Sequence, residues 1–159
     1  MSARLTALIT GASAGLGEEF ARQLAAMGCN LILVARRVDR LQLNAARLQE
    51  QFPSIDVLCI EADLRRTEAP QQIHTAVRGR GWQVDYLVNN AGASGPDFFG
   101  DDPWSDHLAY LRLMQTSVAE LCHYFIPAML ERSFGRVINV SSVSGRMAAS
   151  NSCHYGPTK

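Results

Sequence analysis

Lysine is nearly missing from this chain. Fourteen of its fifteen basic residues are arginine, and the one lysine is Lys159. Net charge is missing too. Fifteen basic and fifteen acidic residues cancel, which removes the broad positive field that nucleic-acid binding draws on. No apolar run approaches the ~18 residues of a membrane span. Met1-Ser2-Ala3-Arg4 leads directly into a short strand pattern rather than the core of a signal peptide. Paired cysteines are absent as well. Cys29, Cys59, Cys122 and Cys153 are widely scattered, with no C-x-x-C pair and no metal-ligand spacing, so reduced thiols, a cytoplasmic location and no metal site are expected. What remains is ordinary: 159 residues, 47% hydrophobic and 19% charged. That is one domain's worth of chain around one core.

Strand and helix patterns alternate along the chain. Leu5–Thr10, Leu31–Ala35, Ile55–Ile60, Val84–Val88 and Arg136–Val140 read as short strands. Between them run helical patterns. The first covers Gly15–Met27, with Leu16, Phe20, Leu24 and Met27 as its apolar stripe and Gly28 as its stop. The second is capped by Asp39 and runs to about Phe52, and Pro53 ends it. A third runs from about Thr67 to Val77 and a long one covers roughly His107–Glu131. The stretch from about Asn151 opens another helix. Repeated βα units imply an α/β fold, a doubly wound parallel sheet with helices on both faces. Ligand sites in such sheets lie beyond the carboxyl ends of the strands.

Thr10-Gly11-Ala12-Ser13-Ala14-Gly15-Leu16-Gly17 follows the first strand and opens the first helix. Its glycines permit positive φ and close backbone approach to a phosphate, and the helix N-terminus offers free N–H groups to an anion. A phosphate-binding P-loop is excluded because it needs Gly-Lys-Ser/Thr, and no lysine is available there. The T-G-x-x-x-G-x-G spacing resembles the short-chain dehydrogenase/reductase family. Three further elements agree in spacing: Asn89-Asn90-Ala91-Gly92 after strand four, Ser142 after strand five, and Tyr155-Gly156-Pro157-Thr158-Lys159 thirteen residues later. The resemblance covers the whole chain and implies a Rossmann-type sheet of order 3-2-1-4-5, a single NAD(P)-binding domain over residues 1–159.

Arg36 and Arg37 close the second strand. A carboxylate there suits the ribose hydroxyl of NAD and repels a 2′-phosphate. Guanidinium groups form charge-assisted bonds to phosphate instead. NADP(H) is therefore the expected cofactor, preferred over NADH; the alternative is that both arginines are solvated surface charges. The resemblance implies that Asp63 contacts the adenine and that Asn90, Ala91 and Gly92 line the cofactor's path. It adds Thr10, Gly11, Ser13, Gly15, Leu16 and Gly17 to the cofactor-binding set, with Tyr155 and Lys159 at its far end. By itself Asp63 reads equally as a helix-entry cap.

Tyr155 and Lys159 stand one helical turn apart in sequence, on one face of a helix. A free phenol titrates near ~10, and bringing it to ~7 takes about 4 kcal/mol. One cation ~4 Å away supplies energy of that order at an effective dielectric of ~20. Two catalytic roles follow: Tyr155 exchanges the proton, and Lys159 tunes it and holds the ribose. A serine hydroxyl after the fifth strand could position the substrate oxygen, and the resemblance implies Ser142 for this role over Ser141 and Ser144. A Ser-His-Asp hydrolase is set aside, since the chain has no G-x-S-x-G elbow and no Asp after Ser142. His74, His107 and His123 read as surface or core residues. On a helix His154 faces away from Tyr155. Phe98 and Phe99 either border the substrate or simply pack.

Two departures from the family's pattern stand out. Met114 occupies the place of an Asn in the long helix, with Gln115 and Thr116 as neighbours able to substitute for it. The chain also stops at Lys159 with five strands, so the expectation is the N-terminal portion of a longer enzyme, poorly stable and inactive alone. The function expected is an NADP(H)-dependent oxidoreductase moving a hydride between the nicotinamide and a small carbonyl or alcohol substrate, working as a homo-oligomer. The alternative is a nucleotide-binding regulatory or scaffold module without catalysis.

Overall fold

Alternate residues of the two central strands enter different cores, and this sorting builds the fold. A computed structural model of the chain describes residues 4–147 and 154–159. Its strands are β1 (Thr6–Thr10), β2 (Asn30–Ala35), β3 (Val57–Glu61), β4 (Tyr86–Asn89) and β5 (Arg136–Asn139). All pair in parallel, in the order β3-β2-β1-β4-β5. Its helices are α1 (Gly15–Ala26), α2 (Val38–Gln51), α3 (Ala69–Gly79), α4 (Trp104–Leu111) and α5 (Ser117–Glu131). On one face Ala7, Ile9, Leu31 and Leu33 meet Ala21 and Leu24 of α1 and Leu41 and Leu48 of α2. On the other, Leu8, Ile32 and Val34 meet Ile73 and Val77 of α3 and Leu121, Phe125 and Met129 of α5. The period of two follows from the pleat, and burial on both faces explains the continuous apolar runs Ala7–Ile9 of β1 and Leu31–Ala35 of β2. Each fully buried Leu or Ile contributes about 1.5–3 kcal/mol by removal from water.

The doubly wound parallel sheet thus has the expected order, but several elements differ in detail. In α1 the stripe of Leu16 and Met27 is exposed, and the buried side is Gly17, Ala21, Leu24 and Ala25. Small residues let this helix lie close on the sheet, which frees Leu16 to face the crevice described below. Asp39 does not cap α2; Arg37 is the N-cap residue and Asp39 sits in the first turn, where its charge suits the helix dipole. Helix α3 begins at Ala69, with Pro70 in its first turn. The long helix starts at Trp104, three residues before the expected His107, and is interrupted by a π-helical turn over Arg112–Thr116. That wider turn displaces the backbone ladder, and the Ser117 hydroxyl donates to the Leu113 carbonyl (2.9 Å) beside it. The expected helix from Asn151 falls partly outside the described residues; residues 154–158 are turns. No helix among the described residues is long and apolar enough to cross a membrane.

The strand order reverses between β1 and β4. A crevice opens at the carboxyl ends of the strands at such a point, because the following helices leave to opposite faces of the sheet.

Candidate active site

The turn after β1 is held to the end of β4 by backbone contact that only glycine permits. Gly11 has φ +68°, and a Cβ there would stand 2.9 Å from Ala91 Cα and from Asn90 Nδ2. A Cβ on Gly17 would stand 2.3 Å from the Gly11 carbonyl oxygen. Gly15 also has positive φ, +60°. Thr10 is buried rather than cavity-lining. Its hydroxyl accepts from the backbone N–H groups of Asn90 and Ala91, both at 3.0 Å, and donates to the Val88 carbonyl at 3.3 Å. Asn90 Nδ2 donates to the Thr10 carbonyl (3.0 Å). Asn44, which sequence reasoning missed, donates from α2 to the Ala12 carbonyl (3.2 Å). Its signal was a polar residue on the apolar face of α2, between Leu41 and Leu48.

Two cavities meet at this turn. One, of about 370 Å³, is lined by Gly11, Ser13, Arg36, Arg37, Asp63 and Ala91 among others. The other, of about 580 Å³, is lined by Ser94, Phe98, Ser141, His154, Tyr155 and Lys159 among others. Leu16, Asn90 and Gly92 border both, so the two form one continuous crevice across the strand ends. At its first end Arg37 Nη2 donates to the Ser13 hydroxyl (2.9 Å). Both Arg36 and Arg37 are exposed, and among the described residues neither is paired with a carboxylate. Asp63 turns one carboxylate oxygen toward Arg65, accepting from its backbone N–H and its Nε at 3.1 Å. Ala14, which precedes α1, has no capping side-chain bond, so the first-turn N–H groups keep their capacity to bind an anion.

At the other end the i, i+4 spacing is realised by turns, not by an α-helix. The Thr158 N–H donates to the carbonyls of His154 (3.1 Å) and Tyr155 (3.2 Å), and the Lys159 N–H to that of Gly156 (3.1 Å). The outcome is still a juxtaposition: Lys159 Nζ lies 5.9 Å from the centre of the Tyr155 ring. Nζ donates to the Val140 carbonyl (2.9 Å), and the Ser141 hydroxyl donates to the Lys159 carbonyl (2.5 Å). Ser142 stands differently from the expectation. Its hydroxyl accepts from the Ser144 N–H (3.2 Å), capping the 3₁₀ turn Val143–Gly145, and of these two neighbours Ser141 is the one that lines the cavity. Extended backbone at Ser142 turns successive side chains to opposite sides.

Met114 is buried within the π-helical turn. Its sulfur lies 3.6 Å, and Lys159 Nζ 3.5 Å, from where a Cβ on Gly92 would stand. Gln115 reaches the Pro157 carbonyl from Nε2 (3.4 Å), and Thr116 is exposed. Phe98 borders the cavity, while Phe99 is exposed and packs edge-on against it. Burial pushes the Tyr110 phenol above its ordinary range, partly offset by its contact with Thr158. Sequence reasoning also missed the pairing of His107 with His154, residues 47 positions apart. No local pattern signals a contact of that range.

Comparison with known proteins agrees with this geometry. The family model described as short chain dehydrogenase matches residues 5–159. The human very-long-chain 3-oxoacyl-CoA reductase is 30% identical over 157 residues, covering 96% of this chain and 49% of its own length. The human dehydrogenase/reductase SDR family member 7 is 32% identical over 153 residues, covering 95% of this chain and 45% of its own length. The chain therefore spans about half the length of these relatives. Among solved structures, a bulky-bulky ketone specific alcohol dehydrogenase from Comamonas testosteroni superposes with a TM-score of 0.89 at 30% identity, over 98% of this chain and 61% of that one. A short-chain dehydrogenase from Sphingobium yanoikuyae in complex with NADPH gives 0.89 at 31% identity, over 98% and 60%. With its glycine turn, its Asn-Asn-Ala-Gly element and its Tyr-x-x-x-Lys pair gathered along one crevice, this chain belongs to the short-chain dehydrogenase family.

Proposed function

We propose that the chain carries the cofactor and proton-transfer machinery of an NADP(H)-dependent oxidoreductase that interconverts a carbonyl and an alcohol. One observation carries this reading: a single crevice has two guanidinium groups at one end, neither paired with a carboxylate among the described residues, and a phenol beside an ammonium at the other. The crevice fits a dinucleotide. Gly11, where a Cβ would collide with Ala91 Cα and Asn90 Nδ2, lets the turn close against the β4 end, and the first turn of α1 offers N–H donors to a pyrophosphate. Arg36 and Arg37 hold a 2′-phosphate, and Asp63 faces the adenine end. Asn90, Ala91 and Gly92 form the floor toward Tyr155. The Sphingobium relative is described with NADPH, and an L-sorbose reductase from Gluconobacter frateurii, TM-score 0.89 at 29% identity, with NADPH and L-sorbose; both support NADP(H) for this chain.

Bound there, the nicotinamide supplies a hydride to the substrate carbon or takes one from it. The chain's own residues do the rest. Tyr155 gives its hydroxyl proton to the carbonyl oxygen in reduction and accepts it back in oxidation. Lys159 places its ammonium beside the phenol, 5.9 Å from the ring centre. Ser142, where β5 ends, orients the substrate oxygen with the donor capacity its hydroxyl retains. Exposed Trp104, Leu108 and Leu130 along the long helix support association with a second copy of the chain.

The competing reading, a nucleotide-binding module without turnover, draws on Met114, whose thioether offers no strong hydrogen bond. Tyr155→Phe in the full-length chain separates the two. The proposed role predicts retained NADPH binding and lost carbonyl reduction. Turnover equal to wild type removes it.

A further inference from the structure

Among the described residues, the segment bearing Tyr155 and Lys159 meets the long helix through three polar side-chain contacts, and they are unequal. The Tyr110 hydroxyl lies 3.4 Å from Thr158 Oγ1, and Gln115 Nε2 lies 3.4 Å from the Pro157 carbonyl. His107 Nδ1 and His154 Nε2 are 2.6 Å apart, with both residues buried. Trp104 stacks on His107, Phe98 meets both imidazoles edge-on, and Tyr110 tilts against His154. His154 also walls the larger cavity, beside Phe98 and directly before Tyr155. The shortest of these contacts between the tyrosine segment and the long helix is therefore a pair of imidazoles in an aromatic cage.

Two imidazoles at this separation share one hydrogen. One facing nitrogen donates and the other accepts, which is possible when both rings are neutral or one is protonated. When both are protonated, each facing nitrogen carries a hydrogen and the bond is lost. Among the described residues, the titratable side chains touching the pair are one another and Tyr110 of α4; Tyr155 follows His154 in the chain. Asp97, Asp101, Asp102 and Asp106 are exposed and bond to neither ring, and Lys159 Nζ is held by the Val140 carbonyl.

We propose that His107 is a positioning residue for the carbonyl–alcohol reaction: through His154 it fixes the substrate-side wall and the adjoining Tyr155 against α4. The proposal rests on the reading of Tyr155 as the proton-exchanging group. It assigns a role to the substrate end of the crevice and leaves the arginine end untouched. KM for the carbonyl substrate then depends on the pair, whereas the Kd of NADPH does not.

The test uses the full-length chain as wild type, His107→Asn and His107→Leu. Asn offers a polar atom near the position of Nδ1, and its oxygen can accept from a protonated His154, so its contact survives acid. Leu offers none. In wild type, KM is expected to rise several-fold once the solution is acid enough to protonate both rings. His107→Asn is expected near wild type at neutral pH and flat into acid, and His107→Leu about tenfold raised throughout. If His107→Leu fails to fold, as a melting curve reports, the comparison of wild type with His107→Asn decides alone. Identical KM–pH profiles for those two overturn the proposal. Imidazole ¹⁵N resonances give a readout without turnover: the two rings are expected to titrate as a coupled pair in wild type. Turnover with independently titrating rings removes the positioning role alone. Coupled rings without turnover remove the reductase reading, and this role with it.

Discussion

The arginine end of the crevice is assembled mainly from backbone, the tyrosine end mainly from side chains. At the first, Gly11 packs on Ala91, Gly17 packs on the Gly11 carbonyl, and Thr10 holds two consecutive N–H groups of the β4 turn. At the second, Lys159 reaches the Val140 carbonyl, Ser141 the Lys159 carbonyl, Gln115 the Pro157 carbonyl, and His107 reaches His154. Backbone packing has no alternative arrangement within a fixed sheet. Side-chain tethers can be cut one at a time without disturbing the sheet. Substitutions at the first end should therefore change stability and cofactor affinity together, and those at the second should change chemistry while leaving affinity alone.

The largest expected effect belongs to the tyrosine end. Tyr155→Phe keeps the ring and removes the proton, so kcat should fall by about 10²–10⁴, with the Kd of NADPH unchanged by fluorescence titration. A parallel loss of NADPH affinity would blur the division between the ends. Next is Arg37→Ala. Removing a charge-assisted bond of about 1.5–3 kcal/mol should weaken NADPH tens-fold and leave NADH unaltered; equal weakening of both would assign Arg37 to the surface. Third is Gly17→Ala. Its new Cβ, 2.3 Å from the Gly11 oxygen, must push α1 off the turn, at about 1–3 kcal/mol. The urea midpoint and the NADPH affinity should fall together.

The smallest effect lies outside both ends. Burial, and then the charge of Arg78, hold the pKa of His74 below its ordinary value, in its stack with Tyr124. A lowered folded-state pKa means that the unfolded chain takes up the proton first. The stability this group contributes is complete above about 6.5 and is lost as pH falls through the lowered value. His74→Gln should flatten that part of the stability–pH curve while leaving NADPH affinity unchanged.

The same contrast explains what was legible in the sequence. The glycine turn, the arginines after β2 and the strands themselves are encoded locally, in contiguous motifs and in runs such as Leu31–Val34 that are buried on both faces, while the sheet order came with the family resemblance. The exposure of Leu16 and Met27 was not legible, because helical spacing alone gives two candidate faces and the small residues Gly17, Ala21 and Ala25 won the one against the sheet. The turns around Tyr155, the shift from Ser142 to Ser141 at the cavity wall and the His107–His154 bond depend on how distant segments meet. The π-helical turn at Met114 left no signal in an unbroken apolar periodicity. Family resemblance supplied the roles of Asp63 and Ser142, which the residues themselves leave open.

The account depends on a dinucleotide spanning the two joined cavities. A crystal structure of the full-length chain with NADPH tests this most directly. The account predicts the 2′-phosphate on Arg36 and Arg37, the pyrophosphate at the first turn of α1 and the nicotinamide beside Tyr155. A 2′-phosphate bound away from both arginines, or a nicotinamide on the far side of Leu16 from Tyr155, would contradict it.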